Sequence, residues 1–398
     1  MRYRWENTEL DVGTYELRVD GARVAVEPQV FEVLSYLLQH RERLVPRTEL
    51  LDQVWGDRFV TDSALSSRIA AARTAIGDDG RTQRVIRTVH GRGFQFVAEV
   101  EAAWPRVLPA LVPDGDEPAQ TVRFVTAPDG QQLAVATAGD GIPLVKAANW
   151  LTHVEKDWRS PVWWHWWSGL AARFRFFRYD ARGCGLSDQN LDGTDLTDLS
   201  VWTGDLEAVV DATDVDRFVL LGISQGAAPA MDYAVRHPKR VAHLVLYGGY
   251  CRGMRQRGDA GIRESDALVE LTRLGWGGRN PAFRSVFTMT FLPDATSEQI
   301  RWFSELQEMS TSTENAVLLE SAFYESDFSD LARRIRVPTT VMHCCDDRAT
   351  PYEEGRRLAG AIPDAEFVTL ESANHILTEA EPAWQDFLAH LDRIRAEI

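Results

Sequence analysis

With 398 residues, the chain is long enough for two domains that each bury a full core. Its formal net charge of -16 excludes bulk attraction to nucleic acid or anionic membrane, although the acidic excess lies mainly after residue 100 and the first segment is close to neutral with local basic clusters. Four cysteines, at positions 184, 251, 344 and 345, are not a disulfide framework, and their spacing does not suggest zinc, so no metal or other cofactor is expected. A charged-then-apolar leader, an apolar run able to cross a bilayer, internal repeats and low-complexity tracts are all missing, which predicts a cytoplasmic protein with no membrane partner.

Residues 1–100 open with short alternating runs, 3–5, 15–19 and 23–26, separated by Asn7, Gly13 and Asp20-Gly21. That pattern predicts a small antiparallel sheet. Helical spacing follows. Val30, Val33, Leu34, Leu37 and Leu38 mark one helix, and Thr48 heads a second carrying Leu50, Leu51, Val54 and Trp55. Thr61, Asp62 and Ser63 cap a third, whose buried face is Leu65, Ile69, Ala72 and Ile76 and which ends at Gly77. Two strands, 84–89 and 94–97, are joined through His90-Gly91-Arg92-Gly93.

The outward face of the third helix shows Ser63, Ser66, Ser67, Ala70, Arg73 and Thr74, small or hydrogen-bonding groups that permit close approach to a major groove. Around it gather Arg58, Arg68, Arg81, Arg84, Arg87 and Arg92, charges suited to phosphate contacts. Arg92, between two glycines, is placed at the hairpin tip for a minor-groove or phosphate contact. Sheet, three helices and hairpin, with residues 60–65, 73–78 and 86–94 in that order, resemble the winged-helix DNA-binding domain of OmpR/PhoB-type regulators. The candidate contacts are Ser63, Ser66, Ser67, Arg68, Arg73, Thr74, Arg87 and Arg92. The resemblance implies double-stranded DNA as partner and a homodimer on it. The alternative is a protein-interaction winged helix whose arginines are ordinary surface.

Residues 101–119 carry Pro105, Pro109, Pro113 and Pro118 among acidic residues without periodicity, which predicts a semi-stiff linker. Strand–helix alternation occupies 120–398. The strand at 143–147 leads into Ala148, Asn149 and Trp150, and the next helix holds Trp158, Trp163, Trp164, Trp166 and Trp167. Trp163, Trp164 and Trp167 share a face and read as core; some of the tryptophans are alternatives for a pocket wall, with Trp150, Trp276 and Trp302.

Then comes Asp180-Ala-Arg182-Gly183-Cys184-Gly185-Leu-Ser187. An apolar run, 217–221, precedes Gly222-Ile223-Ser224-Gln225-Gly226 and a helix over 227–237. Strand, tight turn and helix with serine at the apex is the nucleophile-elbow pattern, which puts the hydroxyl beside a helix N-terminus. A serine hydroxyl needs a base, and the base an orienting acid. A strand at 338–343 is followed by Asp346 and Asp347, and a strand at 365–370 by His375. Between them, about 251–336 interrupts the alternation and reads as mainly helical.

These residues resemble the α/β-hydrolase superfamily from about Gln120 onward. The expected fold is multidomain: a small α+β winged helix at 1–100, then an α/β-hydrolase at 120–398, doubly wound on a mostly parallel sheet, with a helical cap at about 251–336. The resemblance implies Ser224, Asp347 and His375 as catalytic residues. In the family the acid lies four residues before the proline, here Pro351, which selects Asp347 and leaves Asp346 as alternative. Many relatives carry His-Gly where this chain has Ala148-Asn149. The oxyanion hole is then expected from the N–H groups of Gln225 and of Asn149 or Trp150. His153 reads as structural, with a pocket role as alternative. The expected function is DNA-binding regulation by a chain whose hydrolase domain binds and hydrolyses a small ester, lactone or related apolar ligand. Two alternatives stay open: a ligand sensor without turnover, and an esterase or lactonase whose N-terminal domain serves only dimerisation.

Overall fold

In the computed structural model, contacts divide the chain into Met1–Val112 and Pro113–Ile398. The structure describes all residues except 1, 12–15, 25, 42, 56–61, 90, 99, 104–118 and 279–280, so Arg58, Thr61, His90 and the four linker prolines lie outside the described residues.

The first unit runs β1 (Arg2–Trp5), β2 (Thr8–Asp11), β3 (Glu16–Val19), β4 (Ala22–Val24), α1 (Pro28–Gln39), β5 (Val45–Pro46), α2 (Arg47–Trp55), α3 (Asp62–Ala75), β6 (Ile86–Val89), β7 (Gly93–Phe96) and β8 (Glu101–Ala103). Its antiparallel sheet has the order β4-β3-β2-β1-β8, and a second sheet has the order β5-β7-β6. Alternate residues Tyr3, Trp5, Leu10 and Leu17 turn inward, as period-two side-chain direction requires. They meet the apolar stripe of α1 in one core, and Trp5 packs edge-on against Phe96 at 5.2 Å. Two features depart from the sequence expectation. Strand β2 offers a single apolar residue to the core besides Thr8, too little for a pattern, and β8 pairs with β1, so residues 101–103 belong to this sheet rather than to a linker.

The second unit continues with β9 (Thr121–Thr126), β10 (Gln132–Ala138), β11 (Pro143–Ala147), α4 (Val154–Asp157), α5 (Trp164–Ala171), β12 (Arg175–Tyr179), α6 (Leu199–Asp211), β13 (Phe218–Ile223), α7 (Ala227–Arg236) and β14 (Val241–Tyr247). Helices α8 (Asp259–Gly275), α9 (Pro281–Phe291), α10 (Ser297–Ser310), α11 (Thr313–Glu325) and α12 (Ser329–Ala332) form the cap. β15 (Thr339–Cys344), α13 (Tyr352–Ala361), β16 (Glu366–Leu370) and α14 (Pro382–Glu397) complete the fold. The eight-stranded sheet has the order β16-β15-β14-β13-β11-β12-β10-β9, with β10 antiparallel to both neighbours and the other pairings parallel. Every residue of β13 and of β15 is buried, as expected of parallel strands covered on both faces. The registers Ile223↔Tyr247, Tyr247↔Met342 and Cys344↔Leu370 bring these strand ends within two residues of one another, so the loops after β13, β15 and β16 share one sheet edge.

The loop after β12 supports that edge. Asp180 accepts the backbone N–H groups of Val154 and Leu186 at 2.8 Å each. Arg182 forks onto Asp205 through Nε at 2.8 Å and Nη2 at 2.6 Å, with Nη1 on Asp129 at 2.7 Å. The cap rests on the same loop: Thr311 Oγ1 donates to the Gly183 carbonyl at 2.6 Å, and Gly185 N donates to the Ser310 carbonyl at 2.7 Å.

Arg182 and Asp205 are each 1% exposed, so Arg182→Met strands a buried carboxylate. We expect it to lower unfolding free energy by about 3 kcal/mol or more. Arg182→Met/Asp205→Leu should recover much of that loss, both read from urea unfolding curves.

Candidate functional site

The turn after β13 is built by crowding. A Cβ at Gly222 would lie 2.8 Å from Ala227 Cα, and one at Gly226 would lie 2.9 Å from the Ala148 carbonyl oxygen, so only glycine lets strand, turn and helix pack this closely. Ser224 between them sits at φ 52°, the left-handed region that a side chain adopts only where surroundings enforce it. The residue is 5% exposed, on a single 3-10 turn leading into α7. The first N–H groups of such a helix lack intrahelical partners and favour negative charge.

The loop after β15 places Asp347 inward and leaves Asp346 exposed. Asp347 Oδ1 accepts the N–H groups of Ala349 and Thr350, both at 2.9 Å, and Oδ2 accepts His375 Nδ1 at 2.6 Å. With Nδ1 donating to a carboxylate, a neutral imidazole keeps its lone pair on Nε2. His375 Nε2 is buried and has no hydrogen-bond partner among the described residues. Ser224 and His375 line one cavity of about 20 Å³, together with Asn149, Trp150 and the cap residues Phe287 and Phe291. A second cavity of about 30 Å³ lies across Trp150, lined by Gln225, Leu199, Trp202, Tyr250 and Phe323 among others. Among the described residues, neither wall includes Asp, Glu, Lys or Arg.

Asn149 is buried. Its Oδ1 accepts from Lys146 Nζ at 2.5 Å, and its Nδ2 donates to the Trp150 carbonyl at 3.2 Å. Trp150 stacks on Trp276 of the cap at 5.3 Å and meets Phe287 edge-on at 5.4 Å. Of the other tryptophans, Trp163 is both core, stacked on Trp167 at 4.9 Å, and a wall of the Ser224 cavity. Trp302 is buried but lines neither cavity. His153 caps α4 by accepting from Lys156 N at 3.4 Å, and burial pushes its pKa down to about 4, so its place is structural.

Glu381 is a residue that the sequence reading missed. Its carboxylate accepts from Ser372 Oγ, from Asn374 Nδ2 at 2.8 Å and from Thr378 N at 2.6 Å, tying both sides of the histidine loop together. Its position just before Pro382, at the start of a helix, was the available signal. The cap holds the same loop: the Phe291 carbonyl accepts His375 N at 2.9 Å and Ile376 N at 3.2 Å. Among the described residues no group of three His, Cys, Asp or Glu side chains is placed to hold a metal ion.

In the first unit, Ser66, Ser67, Ala70 and Thr74 form the exposed face of α3, as the sequence periodicity predicts. The Ser63 side chain lies outside the described residues. Ser66 accepts from Arg47 Nη2 at 3.1 Å, and Arg68 pairs with Glu27 at 2.9 Å. Arg87 is exposed and donates to Gln95 Oε1 at 2.6 Å; Arg92 is exposed at the hairpin tip. Arg73 differs from expectation. Its side chain is 11% exposed and donates from Nη2 to the Ile86 carbonyl at 2.7 Å and to Thr88 Oγ1 at 2.8 Å, so it braces α3 against β6 instead of standing free.

Comparison with known proteins agrees with this division. A family model described as "alpha/beta hydrolase fold" matches residues 159–382, and one described as "Transcriptional regulatory protein, C terminal" matches residues 21–96. A 2-hydroxy-6-oxononadienedioate/2-hydroxy-6-oxononatrienedioate hydrolase of Cupriavidus pinatubonensis is 28% identical over 283 residues, 65% of this chain and 90% of that protein. The transcriptional regulator HilA of Salmonella typhi is 34% identical over 95 residues, 22% of this chain and 17% of HilA. An esterase from Exiguobacterium antarcticum superposes with a TM-score of 0.58 at 23% identity, covering 69% of this chain and all (100%) of the esterase, a likeness of fold.

Arg73→Ala should lower the stability of the first unit by about 1–3 kcal/mol through lost buried hydrogen bonds. Arg92→Ala should stay within about 0.5 kcal/mol. Denaturant unfolding of the full chain, followed by hydrogen exchange in residues 86–96, checks both.

Proposed function

Since the chain belongs to the alpha/beta hydrolase fold family and carries a transcriptional regulatory domain ahead of that fold, we propose that it is a DNA-binding regulator whose hydrolase domain cleaves a small, neutral ester or lactone. The observation that carries the hydrolytic reading is the arrangement of His375: one ring nitrogen on Asp347, the other buried without a partner on the cavity that Ser224 also lines. In this mechanism Ser224 Oγ attacks the carbonyl carbon while His375 Nε2 takes the hydroxyl proton. Asp347 holds the imidazolium. The tetrahedral oxyanion is met by the N–H of Gln225 and that of Asn149 or Trp150. Collapse expels the alcohol, which receives the proton from His375, and water repeats the sequence on the acyl-enzyme. Walls that are mostly aromatic and aliphatic, with a few polar groups and no Asp, Glu, Lys or Arg among the described residues, favour a neutral, largely apolar ligand.

A second reading, a sensor that binds without turnover, draws on the cavity itself: at about 20 Å³ it admits little more than a water unless the cap moves. Turnover decides between them. Ser224→Ala should reduce hydrolysis of a p-nitrophenyl ester by at least about a thousandfold. Unchanged turnover in the variant would remove Ser224 from the chemistry, and a wild-type protein that binds esters without hydrolysing them would establish the sensor.

DNA binding rests on the exposed small-residue face of α3 and on Arg92 at the hairpin tip. The protein should retard a DNA fragment from upstream of its own gene. Arg92→Ala should weaken the complex and reduce the slope of log K against log salt by about 1. Folded protein that fails to shift DNA at low salt would favour a domain serving only dimerisation.

A further inference from the structure

The penultimate residue of strand β11 is one that the sequence reading passed over. Lys146 is 1% exposed, in the middle of the central sheet. Its ammonium lies 5.6 Å from the Trp167 ring centroid and donates to two neutral acceptors, Asn149 Oδ1 at 2.5 Å and the Ala147 carbonyl at 3.2 Å. Among the described residues no carboxylate comes within salt-bridge distance of it. The nearby Arg178 is also buried and pairs with Asp157 at 3.5 Å. Burial, reinforced by repulsion from Arg178, pushes the Lys146 pKa down to about 7 against weaker support from Asp157 and Asp180. A buried cation in such a place is costly, and an apolar side chain of the same length would fill the space without that cost.

Its one distinctive bond goes to the loop over Ser224. Asn149 receives it, and passes it on through Nδ2 to the Trp150 carbonyl. Both residues line the Ser224 cavity, and Trp150 is also the wall shared with the second cavity. Resting on the hydrolytic reading above, we infer that Lys146 is a positioning residue: by holding the Asn149 side chain beneath the loop, it fixes the Asn149–Trp150 backbone whose N–H groups meet the oxyanion. The position that relatives fill with His-Gly is thus ordered here by a bond from below.

Two measurements on the full chain test this. For p-nitrophenyl acetate, Lys146→Met should lower kcat about 10- to 100-fold, less than the roughly 100- to 1,000-fold of an oxyanion donor removed outright. KM should change less than about threefold, and the melting temperature should not fall in step with activity, because an unpaired buried charge is removed. Hydrogen exchange should quicken in residues 148–152 while β13 and β14 keep their protection. The double variant Lys146→Met/Asn149→Leu, which leaves no stranded acceptor, should fold at least as well and remain slow. If Lys146→Met does not fold, Lys146→Gln, which keeps a neutral donor, is measured the same way.

Unchanged exchange at 148–152 overturns the inference whatever the activity. So does an activity that tracks melting temperature, or one restored in the double variant, since a merely structural lysine would behave so. Faster exchange at 148–152 in a protein whose wild type hydrolyses no ester would uphold the positioning role and refute the hydrolytic reading alone.

Discussion

The close approach of three backbone segments at Gly222 and Gly226 is the constraint on which the hydrolase unit depends. Strand β13, the start of α7 and the end of β11 meet where no Cβ fits, and this contact forces Ser224 into the left-handed region. A strained residue of this kind is held by its surroundings, at a cost of about 1–3 kcal/mol. The same contact delivers the two halves of the pocket. It turns Ser224 to the cavity at the sheet edge, and it seats the carbonyl groups of Ala147 and Ala148 against the turn, fixing where the Asn149–Trp150 loop begins. The Asp347–His375 bond then closes the arrangement from the other side of β13, across β14 and β15.

Beneath this edge the unit keeps several charged side chains out of water. Arg182 and Asp205 form a bidentate pair: its hydrogen bonds, with that to Asp129, hold the Arg182 guanidinium charged against burial, while burial still pushes the Asp205 carboxyl above its usual range. Lys146, Arg178, Asp157 and Asp180 are less well matched. Burial pushes the Asp180 carboxyl up to about 7 and Asp157 up to about 6, while Lys146 is pushed down to about 7. Each shift moves its group toward the neutral form, the direction that burial imposes on a charge. What these side chains do is hold loops: Asp180 takes the N–H of Val154 and of Leu186, Arg178 donates to the Val154 carbonyl at 2.6 Å, and Lys146 takes Asn149. Apolar residues would pack as well but could not choose a loop conformation, because dispersion has no direction and hydrogen bonds do.

Much of this was legible in the chain. The glycines around Ser224, the order serine, aspartate, histidine, and a helical stretch over 251–336 each rest on local pattern, and local pattern survives folding. The period of α3 likewise gave its exposed face. Long-range satisfaction was not legible. Arg73 reads as one more arginine on a helix face, and only the approach of β6 turns it into a brace. Strand β8 has three residues and no pattern of its own; its partner β1 lies at the other end of the unit. Lys146 carries no signal in the chain, and only the fold shows its ammonium on Asn149 Oδ1. Trp163 was read as core and is core, but one of its surfaces also bounds the Ser224 cavity, a distinction that periodicity along a helix cannot make.

The size of that cavity gives the cap its meaning. With about 20 Å³ beside Ser224, any ligand larger than a few atoms must displace aromatic rings or move the cap itself. The cap is not free to move alone. The Phe291 carbonyl holds the backbone of His375 and Ile376, and Asp294 N donates to Asn374 Oδ1 at 3.1 Å. At its other side, Ser310 and Thr311 are bonded to the Gly183–Gly185 loop that Arg182 anchors. Entry of a ligand therefore works against bonds that reach His375 and the loop under the cap together. Catalysis requires that the imidazole keep its place while the cap yields, and a sensor requires that occupancy be felt outside the cavity. Both demands fall on the same few backbone bonds around residues 291–294 and 374–376, because these are where cap and histidine loop share hydrogen bonds.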